Sequence, residues 1–157
     1  MNQHEKFLNM AIDLAKKSAK KNLGGPFGAV IVKGGKVIAK AHNTVVPDSD
    51  PTAHAEINAI RKACKKLKNF ELKGCTIYAS AEPCPMCLGA IYWTRLKAIY
   101  YAADRKLSAK VGFDDTFIYQ EFARPKNKRK IKIIKVDLPT DNTPFEAWAK
   151  NTTKTEY

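Results

Sequence analysis

The sequence predicts an α/β fold of three layers, in which helices cover both faces of one central, mixed, five-stranded sheet. Segments with helical spacing alternate along the chain with short β-branched segments, a pattern typical of a sheet packed between helices. With 157 residues, 45% of them hydrophobic, the chain has the length at which one domain buries most of its apolar surface. We therefore expect a single domain over residues 1–157.

A helix followed by a hairpin is predicted at the start of the chain. Between Phe7 and Ala19 apolar residues recur at three- and four-residue intervals, which indicates an amphipathic helix that ends at Gly24-Gly25-Pro26. Two β-branched runs follow, over residues 29–32 and 37–39, and Gly34-Gly35 supplies the turn between them. These runs are expected to be the first two strands.

A second helix and a third strand follow a polar loop. Apolar residues return at helical intervals over residues 53–67, so His54 and Glu56 are expected in the first turn of this helix. Residues 75–79 have the composition of a strand.

A third helix is predicted next, opened by Pro83 or Pro85 and continuing to Leu96. The remaining elements are two strands and a short terminal helix, over residues 98–102, 131–136 and 144–149.

The composition also bears on location. No stretch reaches the roughly 18 consecutive apolar residues that cross a bilayer, and the first residues lack the pattern of a secretory signal. Four cysteines in such a chain are more typical of thiols or metal ligands than of disulfides. We expect a cytoplasmic protein with no membrane partner.

The formal net charge of +13 keeps a polyanionic partner open. Basic residues gather late in the chain, at Arg124, Lys126, Lys128, Arg129, Lys130, Lys132 and Lys135. They interrupt an apolar run rather than frame aromatic stacking residues, so the favoured interpretation is a solvated surface rather than a nucleic-acid site.

A metal site is indicated by Cys84-Pro85-Met86-Cys87 together with His54. Two cysteines three positions apart at a helix start project to one side and can bind one cation. Catalytic zinc takes three protein ligands and leaves one position to water, so one further ligand is needed, and His54 is the candidate. The combination of H-x-E with P-C-x-x-C is the signature of zinc-dependent base deaminases.

Glu56 is the candidate proton carrier. Two thiolates soften the Lewis acidity of zinc, so an adjacent base is needed to take a proton from water and pass it to the substrate. The alternative is a structural zinc site, which needs a fourth protein ligand. The remaining cysteines and histidines lack paired spacing.

Beyond these motifs, the chain resembles the bacterial guanine deaminases of the cytidine deaminase superfamily over nearly its whole length. The similar segments are Gly24-Gly25-Pro26-Phe27-Gly28-Ala29-Val30, Asp50-Pro51-Thr52-Ala53-His54-Ala55-Glu56, Glu82-Pro83-Cys84-Pro85-Met86-Cys87-Leu88-Gly89-Ala90-Ile91-Tyr92-Trp93 and Gly112-Phe113-Asp114-Asp115. Transfer-RNA adenosine deaminases share the second and much of the third segment, so those residues do not separate a free base from RNA. The resemblance implies a cytidine deaminase-like fold and zinc as the cofactor.

The resemblance also implies roles for five further residues. Asn43 would hydrogen-bond the purine edge, Phe27 and Trp93 would contact the rings, and Asp115 would move a proton to the leaving amine. Tyr157 and the C-terminal segment would close over the bound base. Other interpretations remain open, namely a turn role for Asn43, core positions for Phe27 and Trp93, and a frayed terminus.

Asp114 is the open alternative to Asp115, because either carboxylate of the adjacent pair can cap a local turn.

Conversion of guanine and water to xanthine and ammonia is the activity that the resemblance implies, in a homodimer whose C-terminal segments can be exchanged. Two alternatives remain. One is adenosine deamination on transfer RNA, and the other is a zinc-stapled nucleic-acid-binding module, which has no use for Glu56.

Overall fold

The computed structural model describes residues 2–157. All of its β-strands lie between Gly28 and Ala103. The first helix, α1 (Gln3–Lys20), begins at a capping box in which Asn2 and Glu5 each accept the other's backbone N–H. The elements that follow are β1 (Gly28–Lys33), β2 (Lys36–His42), α2 (Val45–Asp48), α3 (Ala55–Leu67), β3 (Cys75–Ala81), α4 (Pro85–Trp93) and β4 (Ala98–Ala103). The chain continues through α5 (Arg105–Ala109), α6 (Thr116–Ala123), a 3-10 turn (Lys126–Lys128) and α7 (Thr143–Lys150).

The sheet is mixed and has four strands in the order β2-β1-β3-β4. Strand β1 pairs antiparallel with both β2 and β3, whereas β3 and β4 are parallel. The predicted hairpin is confirmed, and its turn uses Gly34 and Gly35 at φ values of 53° and 76°, which favour glycine. Because β3 and β4 are parallel, their carboxyl ends lie at one edge of the sheet.

Helices cover both faces of this sheet, as the sequence predicts. Val30 and Val32 of β1 pack with Phe7 of α1 on one face. Ile31, between them in the strand, packs on the opposite face in a core that includes Ile60 of α3. This alternation of neighbouring side chains is the period of two that a strand imposes.

The predicted fifth strand at residues 131–136 is wrong. In the structure these residues have no regular secondary structure and pair with no strand among residues 2–157. The side chains of Ile131, Ile134 and Val136 are 80%, 73% and 68% exposed. A β-branched run favours an extended chain, but a strand also needs a partner for its backbone groups, and that partner is not encoded locally.

Helix boundaries also differ from the sequence predictions. Helix α3 begins at Ala55, so His54 is its N-cap rather than part of the first turn. Helix α4 ends at Trp93 rather than Leu96, and Arg95 has a φ of 57°, which interrupts a right-handed helix.

Two compact units divide the chain, residues 1–116 and 117–157. The first contains the four-stranded sheet with α1, α3 and α4, and the second contains the 3-10 turn and α7. No helix in residues 2–157 is long and apolar enough to span a membrane.

Candidate active site

Helix starts position the three predicted metal ligands. His54 is the N-cap of α3, and Cys84 is the N-cap of α4 in an extended backbone conformation. Pro85 follows at the first helical position, where its missing N–H costs nothing. Cys87 lies in the first turn of α4 and is fully buried. Two helix N-termini therefore place one imidazole and two sulfur atoms in a common region.

The ligand atoms of these residues form a compact group. Nδ1 of His54 lies 3.6 Å from Sγ of Cys84 and 3.5 Å from Sγ of Cys87, and one ligand atom from each residue lies within 4.8 Å of the others. In a tetrahedral zinc site the bond lengths imply about 3.6 Å between nitrogen and sulfur ligands. The three residues thus fit zinc in both chemistry and spacing, and they supply three protein ligands, as in catalytic zinc sites.

One proton is shared unevenly between the two thiols. A hydrogen bond from the Cys87 thiol lowers the pKa of Cys84 to about 4, against the opposing effect of burial. Cys87 keeps the proton that it donates, and burial adds to this, so its pKa is raised far above the usual value. The site therefore holds one thiolate before any cation binds, which favours capture of a divalent metal.

Glu56 lies two residues after the imidazole ligand, in the first turn of α3, and only 7% of it is exposed. Burial is the main cause that raises the pKa of its carboxyl, and the nearby Cys84 thiolate adds to the rise. A hydrogen bond with the Cys87 thiol acts in the opposite direction. A carboxyl in such a setting is a stronger base than an exposed one and is suited to proton transfer.

Asn43 is buried directly after β2, with its side-chain orientation fixed by the backbone. Its Oδ1 accepts hydrogen bonds from the N–H groups of Gly25 and Val45, both at 3.2 Å. Since two donors identify this atom as the oxygen, the amide nitrogen points the other way, and it donates to no residue within 2–157. Asn43 therefore has donor capacity for a ligand.

Phe27 and Phe113 meet edge to face, with ring centroids 4.9 Å apart and planes at 89°. This contact joins the loop before β1 to the segment that contains Asp114 and Asp115. The sequence assigned no role to Phe113, because a single aromatic residue in a loop has no periodicity that would reveal its partner. Phe27 also packs against the core, so it serves packing as well as lining this region.

The two neighbouring aspartates differ in environment. Asp114 accepts a hydrogen bond from the Thr116 N–H at 2.9 Å, and hydrogen bonding to Thr116 lowers the pKa of its exposed carboxyl. The pKa of Asp115 is instead raised, first by burial and then by the charge of Cys84. Asp114 thus caps the turn at Thr116, a role that the sequence left open between the two aspartates. The pKa of Asp115 instead responds to the charge of Cys84.

Trp93 and Tyr157, the two remaining predicted site residues, lie in different compact units. Trp93 ends α4, about 9 Å along the helix axis from Cys87. Its ring is 62% exposed and lies under the Arg95 guanidinium, whose carbon is 5.8 Å from the ring centroid. Tyr157 belongs to residues 117–157.

A separate groove of about 560 Å³ lies between α1 and the ends of β3 and β4. Phe27 lines it, but the three metal-ligand residues and Glu56 do not. Its walls are predominantly apolar side chains, so it lacks the convergent polar groups of a reaction site.

This fold and this ligand set define a zinc-dependent deaminase. Residues 1–103 match the family described as the cytidine and deoxycytidylate deaminase zinc-binding region. The chain belongs to that family, and its cofactor is zinc. The alternatives of a structural zinc site and of a non-catalytic binding module are therefore set aside.

Within the family, the chain is similar over its full length to one relative in particular. It is 52% identical to guanine deaminase of Bacillus subtilis over 154 residues, which cover 98% of this chain and 99% of the relative. The crystal structure of that protein superposes with a TM-score of 0.97 and covers 100% of this chain and 99% of that one.

Transfer-RNA deaminases match a smaller part of the chain. The tRNA-specific adenosine deaminase of Aquifex aeolicus is 47% identical over 103 residues, which cover 65% of this chain and 68% of the relative. Similarity to this transfer-RNA enzyme thus leaves about a third of the chain unmatched.

A solved structure of a second guanine deaminase, from Nitrosomonas europaea, is also similar. It has a TM-score of 0.66 at 32% identity and covers 77% of this chain and 66% of that chain.

Proposed function

We propose that this protein is a guanine deaminase, which converts guanine and water to xanthine and ammonia. The observation that carries the proposal is the similarity to the Bacillus subtilis enzyme over both compact units, at 52% identity. The environments of Glu56, Asn43 and Asp115 also support the roles that the sequence predicts for them.

Zinc, when held by His54, Cys84 and Cys87, supplies the Lewis acidity that makes water acidic enough to react near neutral pH. In the proposed mechanism the Glu56 carboxylate takes the proton released by water and delivers it to the ring nitrogen beside the amino-bearing carbon. Its burial supports this role, since a raised pKa makes the carboxylate a stronger base, which takes a proton from water more readily. Ammonia leaves as the ring carbonyl forms.

Asn43 and Asp115 complete the proposed reaction. The free amide nitrogen of Asn43 donates to an acceptor on the purine edge, because its oxygen is already held by two backbone groups. Asp115 takes the proton that the oxygen from water loses as the carbonyl forms and passes it to the leaving amine, and the raised pKa of Asp115 makes its carboxylate a better base for this step. Phe27 contacts the base, and its edge-to-face contact with Phe113 holds its ring in place.

We also propose that Trp93 and Tyr157 contact the base and that the C-terminal segment closes the site. In this proposal the enzyme is a cytoplasmic homodimer in which the C-terminal segments of the two chains are exchanged. The exposed rings of Trp93 and Tyr157 support an arrangement completed by a second copy, because large exposed aromatic residues are common at interfaces.

Adenosine deamination on transfer RNA is the second candidate. It is favoured by the 47% identity to a tRNA-specific adenosine deaminase and by the net charge of +13. It requires tight binding to transfer RNA that weakens steeply with salt.

A substrate comparison separates the two candidates. Ammonia release is measured for the zinc-loaded protein with guanine, adenine, cytosine and transfer RNA in parallel. We expect release with guanine alone. Release with transfer RNA alone, together with salt-sensitive binding, would reassign the protein to the second candidate.

A further inference from the structure

The side chain of Asn58, in the second turn of α3, makes a set of contacts that the proposed reaction does not use. Its Nδ2 lies 2.8 Å from Oγ1 of Thr44, 3.1 Å from the carbonyl oxygen of His42 and 3.3 Å from that of Ala53. Carbonyl oxygens only accept hydrogen bonds, so the group that faces them is the amide nitrogen. One NH₂ group therefore joins three separate backbone or side-chain acceptors.

These acceptors flank two residues of the site. His42 and Thr44 stand on either side of Asn43, and Ala53 immediately precedes His54. We call this link between residues 42–44 and residues 53–54 the Asn58 junction. The backbone adds a bond to it, because the Thr44 N–H donates to Ala53 O at 2.9 Å. Asn58 is itself anchored to the ligand segment, since its own N–H donates to His54 O at 2.9 Å.

Thr44 shows that this junction replaces a more common arrangement. Threonine at an N-cap usually accepts a hydrogen bond from its own helix. Thr44 is the N-cap of α2 but makes no such bond, and its hydroxyl accepts from Asn58 instead. The hydroxyl of Thr44 thus ties the loop after β2 to α3.

We propose that Asn58 is a positioning residue that fixes the base-binding amide of Asn43 relative to the metal ligand His54. The proposal rests on the role of Asn43 in the proposed function. Asn58 acts mainly through Asn43, because the backbone of His54 is held at the start of α3 by the Asn58 N–H, which a substitution of the side chain leaves in place. Loss of Asn58 leaves the loop after β2 free to shift, so the base binds less well at an intact metal site.

The first test compares the kinetics of matched variants. Asn58→Ala is expected to raise KM for guanine about tenfold with a smaller change in kcat and with one zinc per chain retained. Asn58→Asp, which turns a carboxylate toward the same acceptors, is expected to be at least as impaired. Asn69→Ala is the control, because the Asn69 side chain accepts a local bond from the Glu71 N–H just after α3. It is expected to behave as wild type.

A double-mutant cycle tests whether Asn58 acts through Asn43. In an Asn43→Ala background, adding Asn58→Ala is expected to change kcat/KM by less than about twofold. Equal losses in the two backgrounds would overturn the proposal. Loss of zinc in Asn58→Ala would also overturn it, because Asn58 would then act through His54. If Asn58→Ala does not fold, Thr44→Val removes one acceptor and is expected to raise KM about threefold.

Hydrogen exchange provides a readout that needs no turnover. The amide protons of Gly25 and Val45 are bonded to Oδ1 of Asn43 and therefore report its position. We expect Asn58→Ala to speed their exchange about tenfold, and Asn69→Ala to leave it unchanged. Unchanged exchange in Asn58→Ala would refute the positioning role. Absence of guanine turnover by the wild type would refute the proposed function instead. The hydrogen-exchange rates of Gly25 and Val45 would still test the positioning role of Asn58.

Discussion

The proton shared by Cys84 and Cys87 shows how single residues prepare the site for a metal. Either thiol alone in a buried position would resist ionisation, because burial disfavours the charged form. Here the Cys87 proton stabilises a Cys84 thiolate, whose pKa falls to about 4. A cation that displaces this one proton gains two thiolates and the imidazole of His54 together, so each ligand depends on the others.

This dependence predicts the result of removing one ligand. Cys87→Ala is expected to weaken zinc binding by at least about a hundredfold, because two remaining ligands do not complete a tetrahedral site. Cys64→Ala is the control, since Cys64 is half-buried and lies outside the cluster. Zinc content after dialysis against a chelator measures both. Equal zinc retention by the two variants would refute the ligand assignment.

The aspartate pair gives a second prediction at the residue scale. Asp115→Asn is expected to lower kcat for guanine about a hundredfold, because it removes a proton-transfer group. Asp114→Asn is expected to change kcat less than about threefold, since Asp114 caps a turn at Thr116. Steady-state kinetics of both variants at matched zinc content check this. The reverse order would assign the proton transfer to Asp114.

The starts of α3 and α4 explain why the metal cluster forms where it does. Helix α3 follows β2 after the short helix α2, helix α4 follows β3 after a loop, and the starts of α3 and α4 bring His54, Cys84 and Cys87 together. The sequence predicted both helices and the hairpin, because these elements depend on local periodicity and on glycine at the turn. It also predicted that His54, Cys84 and Cys87 come together, because the residue types and the spacing of the two motifs are local.

The elements that were wrong or missed depend on more distant contacts. The run at residues 131–136 has the composition of a strand without a pairing partner, so composition alone predicted a fifth strand that the structure lacks. Helices α2 and α5 have four and five residues, too few for an apolar period to show. The Asn58 junction was missed because its three acceptors are 5 to 16 residues away along the chain.

The loop between α1 and β1 provides a prediction at the scale of secondary-structure elements. Gly24 has a φ of 145°, and a Cβ there would lie 2.1 Å from the carbonyl oxygen of Asn43. Gly24→Ala is therefore expected to reduce the free energy of unfolding by about 2 kcal/mol or more and to raise KM. Denaturant unfolding and guanine kinetics measure the two effects.

Gly74→Ala is the matched control for this substitution. Gly74 also has a positive φ, 77°, but a Cβ there meets only the end of the Lys33 side chain at 3.8 Å. Gly74→Ala is expected to reduce the free energy of unfolding by about 1 kcal/mol and to leave KM unchanged. Equal effects of the two substitutions on stability and KM would show that the contact with Asn43 has no role.

At the scale of the whole molecule, the two compact units have different relationships to known proteins. The family match ends at residue 103, within the first unit, whereas similarity to the Bacillus subtilis guanine deaminase covers 98% of the chain. The second unit also contains the C-terminal residues that we propose close the site of a second copy.

Exchange of C-terminal segments predicts complementation between two impaired variants. One is Glu56→Gln, and the other lacks residues 152–157. If segments are exchanged, mixed dimers contain one site with an intact Glu56 and an intact terminal segment, so mixing after unfolding and refolding restores activity. We expect recovery of about a quarter of wild-type turnover, because random pairing makes half the dimers mixed. Activity no greater than the average of the two separate variants would contradict exchange.

The most direct test of guanine deamination at this zinc site follows xanthine and ammonia together in the wild type and in Glu56→Gln, each shown to contain one zinc per chain. The account predicts equal amounts of the two products from wild type. It also predicts a loss of turnover of about a thousandfold in the variant, because the metal remains while the proton carrier is gone. A wild-type protein that forms no xanthine, or a variant that forms it at nearly the wild-type rate, would contradict the account.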